Sequence, residues 1–144
     1  MSKETWIIAA NSTIARVFRL DKLELIEMET LINPEGRLHD RELGSDKPGR
    51  GFDSAGPGRS SYTKSLTLKE AEIEAFAKKV ANHIDHARSS GQIDRVFIAA
   101  NPAFLGLVRS SLTHNSESIV ALSIDKDITG MKPDEILGYF PIGL

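Results

Sequence analysis

The chain has 144 residues, of which 40% are hydrophobic and 26% charged, and its formal net charge is −2. This length and composition are typical of a globular protein with a hydrophobic core, so we predict a single domain over residues 1–144. The absence of cysteine excludes disulfides, iron–sulfur clusters and thiolate zinc sites. No apolar run approaches the ~20 residues that cross a bilayer, and residues 7–10 are too few for the apolar part of a signal peptide. We therefore expect a cytoplasmic protein with no membrane partner.

The amino-terminal part of the chain predicts three antiparallel strands. Residues 6–10 form a short apolar run, and a second strand follows at residues 14–20 after the turn-forming residues 11–13. Another turn at residues 21–22 leads to residues 23–30, which mix apolar side chains with glutamates. This mixture is typical of an outer strand with one face partly in water.

Residues 33–64 interrupt every periodic pattern. The segment holds six of the eleven glycines and three of the six prolines, and no helix or strand of normal length is predicted inside it. It greatly exceeds the usual connection of ~4–6 residues, and segments of such length are usually functional or disordered. We therefore expect the functional part of the chain in this segment, which we call the Arg/Gly loop.

Helices and strands alternate in the second half of the chain. A capping box at residues 67–70 predicts the start of a helix whose apolar stripe runs from Ile73 to Ala87 and which Gly91 ends. Further patterns predict a strand at residues 95–100, a helix at 102–113, a strand at 118–124 and a short helix at 133–140. The fold class is therefore α/β, with a mixed sheet of three antiparallel strands followed by α-β-α-β. This is also the element order of a ribonuclease-H-like fold.

A nuclease on such a fold would need clustered carboxylates that hold two metal ions. The first strand contains no acidic residue, while Glu24, Glu27 and Glu29 lie on the third strand, where successive positions face opposite sides. Solvated glutamates on an edge strand explain this pattern better than a metal cluster. His83 and His86 lie three residues apart, one at the margin of the apolar stripe and one on the wet face, so we predict no metal site and no cofactor.

The Arg/Gly loop carries the candidate binding residues. Five cations are predicted to contact RNA phosphate: Arg37, Arg41, Lys47, Arg50 and Arg59. Glycines beside them let the backbone approach a polyanion closely, and arginine suits bidentate contact with phosphate. Phe52 and Tyr62 offer stacking surfaces for bases. The alternatives are a mobile surface loop whose arginines serve solubility and a loop that docks another protein.

A second candidate is the turn from Asn101 to Gly106, which follows a buried strand and opens a helix. Helix N-termini at strand ends favour anions, so Asn101, Ala103 and Gly106 form a candidate anion or ligand turn. The alternative is an ordinary capped helix start, with Gly106 present for close packing. Residues 125–127 are typical of a turn after the final strand, or they line the same face as the loop.

Short motifs in a fixed order span nearly the whole chain. They are Trp6-Ile7-Ile8-Ala9, Ala15-Arg16-Val17-Phe18, Asn33-Pro34-Glu35-Gly36-Arg37, Asp46-Lys47-Pro48-Gly49-Arg50, Asn101-Pro102-Ala103-Phe104-Leu105-Gly106, Leu107-Val108-Arg109 and Asp125-Lys126-Asp127-Ile128-Thr129. This series resembles the bacterial host-attachment protein family. The resemblance implies a name derived from attachment of bacteria to host cells. It also implies a relation to the middle domain of archaeal and eukaryotic peptide-chain release factors.

In those factors, the resemblance implies, the loop before the long helix carries a Gly-Gly-Gln tripeptide that reaches the peptidyl-transferase centre. The corresponding loop here, residues 44–64, contains no glutamine, and the only glutamine, Gln92, lies beyond the helix. The family often has aspartate after the first strand, where this chain has Asn11. The resemblance therefore supports the fold, but neither peptidyl-tRNA hydrolysis by that mechanism nor an acid at Asn11.

These patterns together predict a non-catalytic, cytoplasmic module that binds RNA or the ribosome through the Arg/Gly loop, with binding that falls as salt rises. The first alternative is an enzyme or binding protein for a phosphorylated small molecule, held between the loop and the Asn101–Gly106 turn. The second is a regulator of attachment that docks a protein partner. The sequence leaves the oligomeric state open.

Overall fold

The computed structural model describes residues 3–34 and 55–141, and for residues 55–67 it describes the backbone alone. The strands are β1 (Glu4–Ala10), β2 (Ile14–Asp21), β3 (Glu24–Ile32), β4 (Ile93–Ala100) and β5 (Val120–Ile124). The helices are α1 (Ala55–Ser89), α2 (Pro102–Ser111), α3 (His114–Glu117) and α4 (Pro133–Leu137). In the described ranges no helix is both long and apolar enough to cross a membrane.

The five strands form one mixed sheet in the order β3-β2-β1-β4-β5. β1 pairs antiparallel with β2, and β2 pairs antiparallel with β3. β4 lies parallel to β1, and β5 lies parallel to β4. The predicted α/β class and its three antiparallel amino-terminal strands are confirmed. β1 and β4 lie in the middle and are covered on both faces, which explains why their sequences are nearly continuous apolar runs.

The two faces of the sheet are covered differently. α1 and α2 cover one face, here called the helix face, with a core that includes Ile8, Phe76, Val80 and Phe104. The segment after β5, including α4, covers the other face, here called the C-terminal face. Its smaller core contains Ile7, Phe18, Phe97, Ile128, Ile136 and Phe140. Because successive side chains of a strand point to opposite faces of the sheet, alternate residues of β1 belong to two separate cores.

α1 begins earlier than predicted. It starts at Ala55, not at Thr67, so the predicted capping box lies inside the helix and residues 55–64 do not belong to a loop. Pro57 is compatible with this start because proline is tolerated in the first turn of a helix, where its missing N–H has no partner to lose. The predicted end of the helix is confirmed: Gly91 has φ 84° and Gln92 N donates to Ala87 O at 2.9 Å, as in a Schellman motif.

β3 lies at an outer edge of the sheet, as predicted, but it contains an irregularity that its sequence does not reveal. Val17 pairs with Glu29 while Phe18 pairs with Glu27, so Met28 is an extra residue in the ladder. Such a bulge reverses the facing of the residues beyond it. Glu27 consequently lies on the C-terminal face and Glu29 on the helix face, whereas simple alternation places both on one side.

Candidate functional site

The Arg/Gly loop begins at a well-anchored residue. Asn33 is buried, its backbone N–H donates to Thr13 O at 2.8 Å, and its side-chain amide donates to Ser12 O at 3.1 Å. Ser12 and Thr13 form the turn that directly follows the carboxyl end of β1. The chain therefore enters the loop from the carboxyl end of the parallel strands, where ligands of open α/β sheets usually bind.

The segment predicted as the Arg/Gly loop continues into a helix that is longer than the sheet, since its residues 55–64 form the start of α1. α1 has 35 residues and is about 52 Å long, while β1 has 7 residues and is about 23 Å long. α1 runs opposite to β1, because it ends just before β4 at the amino end of the parallel strands. Among its described side chains, Ile73 is the first that packs on the core, and Leu68 is 60% exposed. About 27 Å of helix thus precedes Ile73, so α1 extends past the carboxyl end of the sheet.

Most of the predicted phosphate-binding residues lie outside the described residues: Arg37, Arg41, Lys47 and Arg50. Arg59 lies within α1, and only its backbone is described. Phe52 is likewise outside the described range, and Tyr62 is described by its backbone alone. The structure therefore fixes the two ends of the segment that carries these residues, and their binding role stays a prediction.

A group of polar side chains that the sequence did not predict as a unit surrounds the carboxyl end of β1. We call it the carboxyl-end cluster, and its members are Asn11, Arg16, Glu27, Asp127 and Thr129. Asn11 Oδ1 accepts from the backbone N–H groups of Thr13 and Ile14 at 2.8 and 3.0 Å. Its amide Nδ2 donates to Asp127 Oδ2 at 2.9 Å and to Thr129 Oγ1 at 3.2 Å. Asn11 thus joins the β1–β2 turn to the segment that follows β5.

Asp127 is held in its charged form. Burial would raise the pKa of this carboxyl, but hydrogen bonds from Asn11 and from the backbone and hydroxyl of Thr129 outweigh burial and lower the pKa below its ordinary value. The Thr129 bonds to Oδ1 measure 3.0 Å from the backbone N–H and 2.7 Å from Oγ1. A carboxylate with three donors suits a fixed structural role better than proton transfer, because protonation would weaken all three bonds.

Arg16 ties the same segment to the sheet. Its Nε and Nη2 donate to the two oxygens of Glu27 at 3.0 and 2.9 Å, a bidentate pair. Its Nη1 donates to the carbonyl oxygens of Thr129 and Met131 at 2.8 and 2.7 Å. The hydrogen bond between Arg16 and Glu27 is the main cause of both pKa shifts: it lowers the pKa of Glu27 and raises the pKa of Arg16. Each nitrogen of Arg16 therefore has a partner, and Arg16 offers little to an incoming ligand.

The predicted ligand turn opens a helix as expected, but the side chain of Asn101 does not cap that helix. Asn101 precedes Pro102 at the first position of α2, as predicted, yet its side chain makes no capping hydrogen bond. Asn101 Oδ1 is buried and has no partner among the described residues. Ala103 and Gly106 are exposed, and a Cβ at Gly106 would meet no described atom within 4 Å. Among the described residues, nothing packs closely against Gly106 as that alternative requires, and the ligand role of the turn stays a prediction.

His83 and His86 lie apart from this end of the sheet. His83 stacks on Trp6 with ring centroids 5.3 Å apart, and its Nε2 lies 3.5 Å from a carboxylate oxygen of Glu29. At that distance the pair is an electrostatic contact rather than a hydrogen bond, and Trp6 Nε1 also has no described partner. His86 is exposed on the same helix. Among the described residues, no three histidine or acidic side chains are grouped to hold a metal ion.

The sheet order and the long helix at its carboxyl end define the class of fold. The solved structure of an archaeal translation termination factor, aRF1, is similar to this chain with a TM-score of 0.52 at 14% identity. The match covers 94% of this chain and 37% of that factor, so the chain spans just over a third of its length. The class is thus an α/β domain with a release-factor-like fold.

Within that class, the family is defined by sequence. The chain belongs to the family described as "Protein required for attachment to host cells", whose sequence profile matches residues 6–139. The resemblance noted from the ordered motifs is therefore confirmed. No curated protein matches the chain.

Proposed function

We propose that the chain is a non-catalytic cytoplasmic module that binds RNA in the setting of the ribosome through the Arg/Gly loop. The observation that carries the proposal is the position of the loop, between Asn33 at the carboxyl end of β1 and the far end of a helix that extends past the sheet. Both described ends of this segment lie towards the carboxyl end of the parallel strands, which supports a partner that binds at this end of the molecule. The similar fold of a translation termination factor supports the ribosome as the setting.

The charges of the segment fit a polyanionic partner. The net charge of the whole chain is −2, so affinity for RNA has to come from local cations. Arg37, Arg50 and Arg59 stand beside glycines that leave room for close approach to phosphate. Guanidinium groups bind phosphate oxygens in pairs, and each contact releases counterions, which makes such binding sensitive to salt.

The carboxyl-end cluster supports binding in preference to catalysis. Glu27 and Asp127 both have lowered pKa values because each accepts hydrogen bonds from neighbouring side chains. A general base or acid near neutral pH needs a raised carboxyl pKa or a histidine, and neither is present in this cluster. The cluster instead holds the turn at Ser12 and Thr13, and this turn accepts the hydrogen bonds of Asn33 at the start of the loop.

The test is a fluorescence titration of single-stranded RNA and of purified ribosomes at several salt concentrations. The variant Arg37/Arg50/Arg59→Ala is expected to bind more weakly than wild type, and its slope of log K against log salt is expected to fall by about 2, because three phosphate contacts are lost. The matched control is Lys3/Lys78/Lys79→Ala, which removes three exposed lysines outside the Arg/Gly loop. Equal weakening in both variants, or no binding by wild type, would overturn the proposal.

A further inference from the structure

A buried pair of rings joins α1 to the start of β1. Trp6 is 2% exposed, and the ring of His83 stacks on it with the planes inclined by 24°. Trp6 Nε1 and His83 Nε2 are both buried, and neither has a hydrogen-bond partner among the described residues. A buried nitrogen without a partner lowers the stability of the folded state, so a change that supplies the partner should raise it.

A carboxylate of the edge strand lies beside the same imidazole. Glu29 Oε1 is 3.5 Å from His83 Nε2, and the bulge at Met28 is what places Glu29 on the helix face. The side chain of Glu29 is 51% exposed, whereas that of His83 is 27% exposed. A short movement of the more exposed carboxylate would bring the two atoms within hydrogen-bond distance.

Other charged or titratable side chains also lie on the elements around His83. They are Glu4 of β1, Arg19 and Asp21 of β2, and Lys79 and His86 of α1. Arg19 lies 4.0 Å from Asp21, and Glu4 accepts a hydrogen bond from a glutamine at 3.4 Å. Lys79 and His86 are exposed one turn away along the helix, where water screens their repulsion. Among the described groups, only Glu29 forms an ion-pair contact with the imidazole.

We propose that His83 forms a pH-sensitive ion pair with Glu29 that ties α1 to β3. A neutral imidazole has no net charge that attracts the carboxylate. A protonated imidazole donates from Nε2 to Glu29, and its charge lies over the indole face of Trp6 as a cation–π contact. Imidazole changes its charge between about pH 5 and 8, a range in which a glutamate stays ionised. The contact is therefore strongest on the acidic side of neutrality.

The two elements that this contact joins are those that flank the Arg/Gly loop. β3 leads to Asn33, where the loop begins, and α1 carries the last residues of the predicted loop. The charge of one imidazole thus controls how firmly these two elements are held together. The contact involves no RNA, so its tests are separate from those of the proposed function.

The first test uses the fluorescence of Trp6, the only tryptophan in the chain. A protonated imidazole stacked on an indole quenches its emission, so the wild-type emission is expected to fall between pH 8 and pH 5.5. His83→Gln is expected to lose this change, whereas His86→Gln, at an exposed histidine of the same helix, is expected to keep it. Wild-type emission that does not depend on pH, or an equal change in His83→Gln, overturns the proposal.

The second test asks whether Glu29 is the partner. The stabilisation by the ion pair is present below neutrality and is lost as the imidazole releases its proton with rising pH. Glu29→Gln should therefore lower the midpoint of thermal unfolding by about 3 °C more at pH 5.5 than at pH 8. Glu24→Gln, at an exposed glutamate of the same strand, should show no such difference.

The double variant His83→Gln/Glu29→Gln separates the ion pair from other effects of pH. In the His83→Gln background, Glu29→Gln should change the unfolding midpoint equally at both pH values, because no imidazole remains to be charged. A Glu29→Gln effect that is the same at pH 5.5 and pH 8 in the wild-type background overturns the ion pair, even where the emission of Trp6 responds to pH.

Discussion

Both faces of the sheet bury an apolar core, but among the described residues only the C-terminal face adds a set of long-range side-chain hydrogen bonds from the sheet and its first turn to the covering segment. On the helix face, α1 and α2 bury apolar stripes against the strands, including Phe76, Val80 and Phe104. On the C-terminal face, most of the covering segment is irregular, and its smaller apolar core, which includes Ile128 and Ile136, is supplemented by hydrogen bonds from Arg16 of β2 and from Asn11, the residue after β1. Removal of apolar contacts should therefore destabilise the whole domain, whereas removal of polar contacts should first release one segment.

The largest effect is expected from Phe104→Ala on the helix face. Phe104 is 1% exposed, and its ring centroid lies 5.7 Å from that of Phe76, so truncation leaves a cavity between α2 and α1. We expect a loss of about 3–5 kcal/mol in the free energy of unfolding, measured with urea. Leu68→Ala, at a side chain that is 60% exposed, should change it by less than about 0.5 kcal/mol. A small loss for Phe104→Ala would contradict the described packing of α2.

The next largest effect is expected from Arg16→Met, which keeps an unbranched apolar side chain and removes the guanidinium, whose Cζ lies 5.0 Å from the centre of the Phe18 ring. Two carbonyl oxygens and Glu27 lose their donor, so we expect a loss of about 2 kcal/mol. Hydrogen exchange should accelerate for the amides of residues 127–136 and remain unchanged for those of α1. Arg19→Met, at a half-buried arginine on the same strand that is more exposed than Arg16, is the control. Equal acceleration on both faces would show that the C-terminal face does not open separately.

A smaller effect is expected from the charge of Asp127. The folded state lowers the pKa of this carboxyl below its ordinary value of 3.8, so the stabilisation is fully present above that value and is lost as the pH falls through the folded pKa. Glu27 behaves in the same sense relative to its ordinary value of 4.5. Asp127→Asn should be less stable than wild type at pH 7, and the difference should shrink on acidification. Urea unfolding from pH 7 to pH 3 measures it, with Asp94→Asn as the exposed control. A difference in stability between the two proteins that grows as the pH falls would contradict this prediction.

The contrast between the faces also explains what the sequence could predict. The helix face depends on periodic patterns, and these predicted the apolar stripe from Ile73 to Ala87 and its end at Gly91. The start of α1 was missed because Thr67-Leu68-Lys69-Glu70 fits a helix interior as well as a helix start. Propensity alone treats Gly56-Pro57-Gly58 as loop, although a first turn tolerates them. Local sequence patterns thus predict which residues of a helix pack on the core more reliably than they predict the residue at which the helix begins.

The carboxyl-end cluster could not be predicted in the same way. Asn11 and Asp127 are 116 positions apart, and each looks like an ordinary turn residue in its own neighbourhood. Their contact depends on the sheet order, which brings the end of β1 and the segment after β5 to the same end of the molecule. The facing of Glu27 depends on the bulge at Met28, and a bulge has no periodic signature. Non-local pairing and backbone irregularity are the two kinds of information that single-sequence patterns lack.

The smallest expected effect has the opposite sign. Gly106 lies within α2, and a Cβ there would meet none of the described atoms within 4 Å, so Gly106→Ala should stabilise the domain by about 0.5–1 kcal/mol by reducing the freedom of the unfolded chain. Gly91→Ala is the matched control: it adds the same methyl group at φ 84°, where alanine is strained, and should destabilise. Thermal unfolding compares the two.

The variant Gly106→Ala also tests whether the predicted ligand turn from Asn101 to Gly106 contributes to RNA binding. If this turn contributes to RNA binding, Gly106→Ala should lower the affinity for RNA, because the added methyl group occupies surface that a phosphate would approach. The same substitution should still stabilise the fold. The variant would then be more stable than wild type but bind RNA more weakly. A glycine with only a structural role would not separate these two properties. A stabilised Gly106→Ala that binds RNA as tightly as wild type would remove the turn from the binding surface and leave the Arg/Gly loop as the proposed contact.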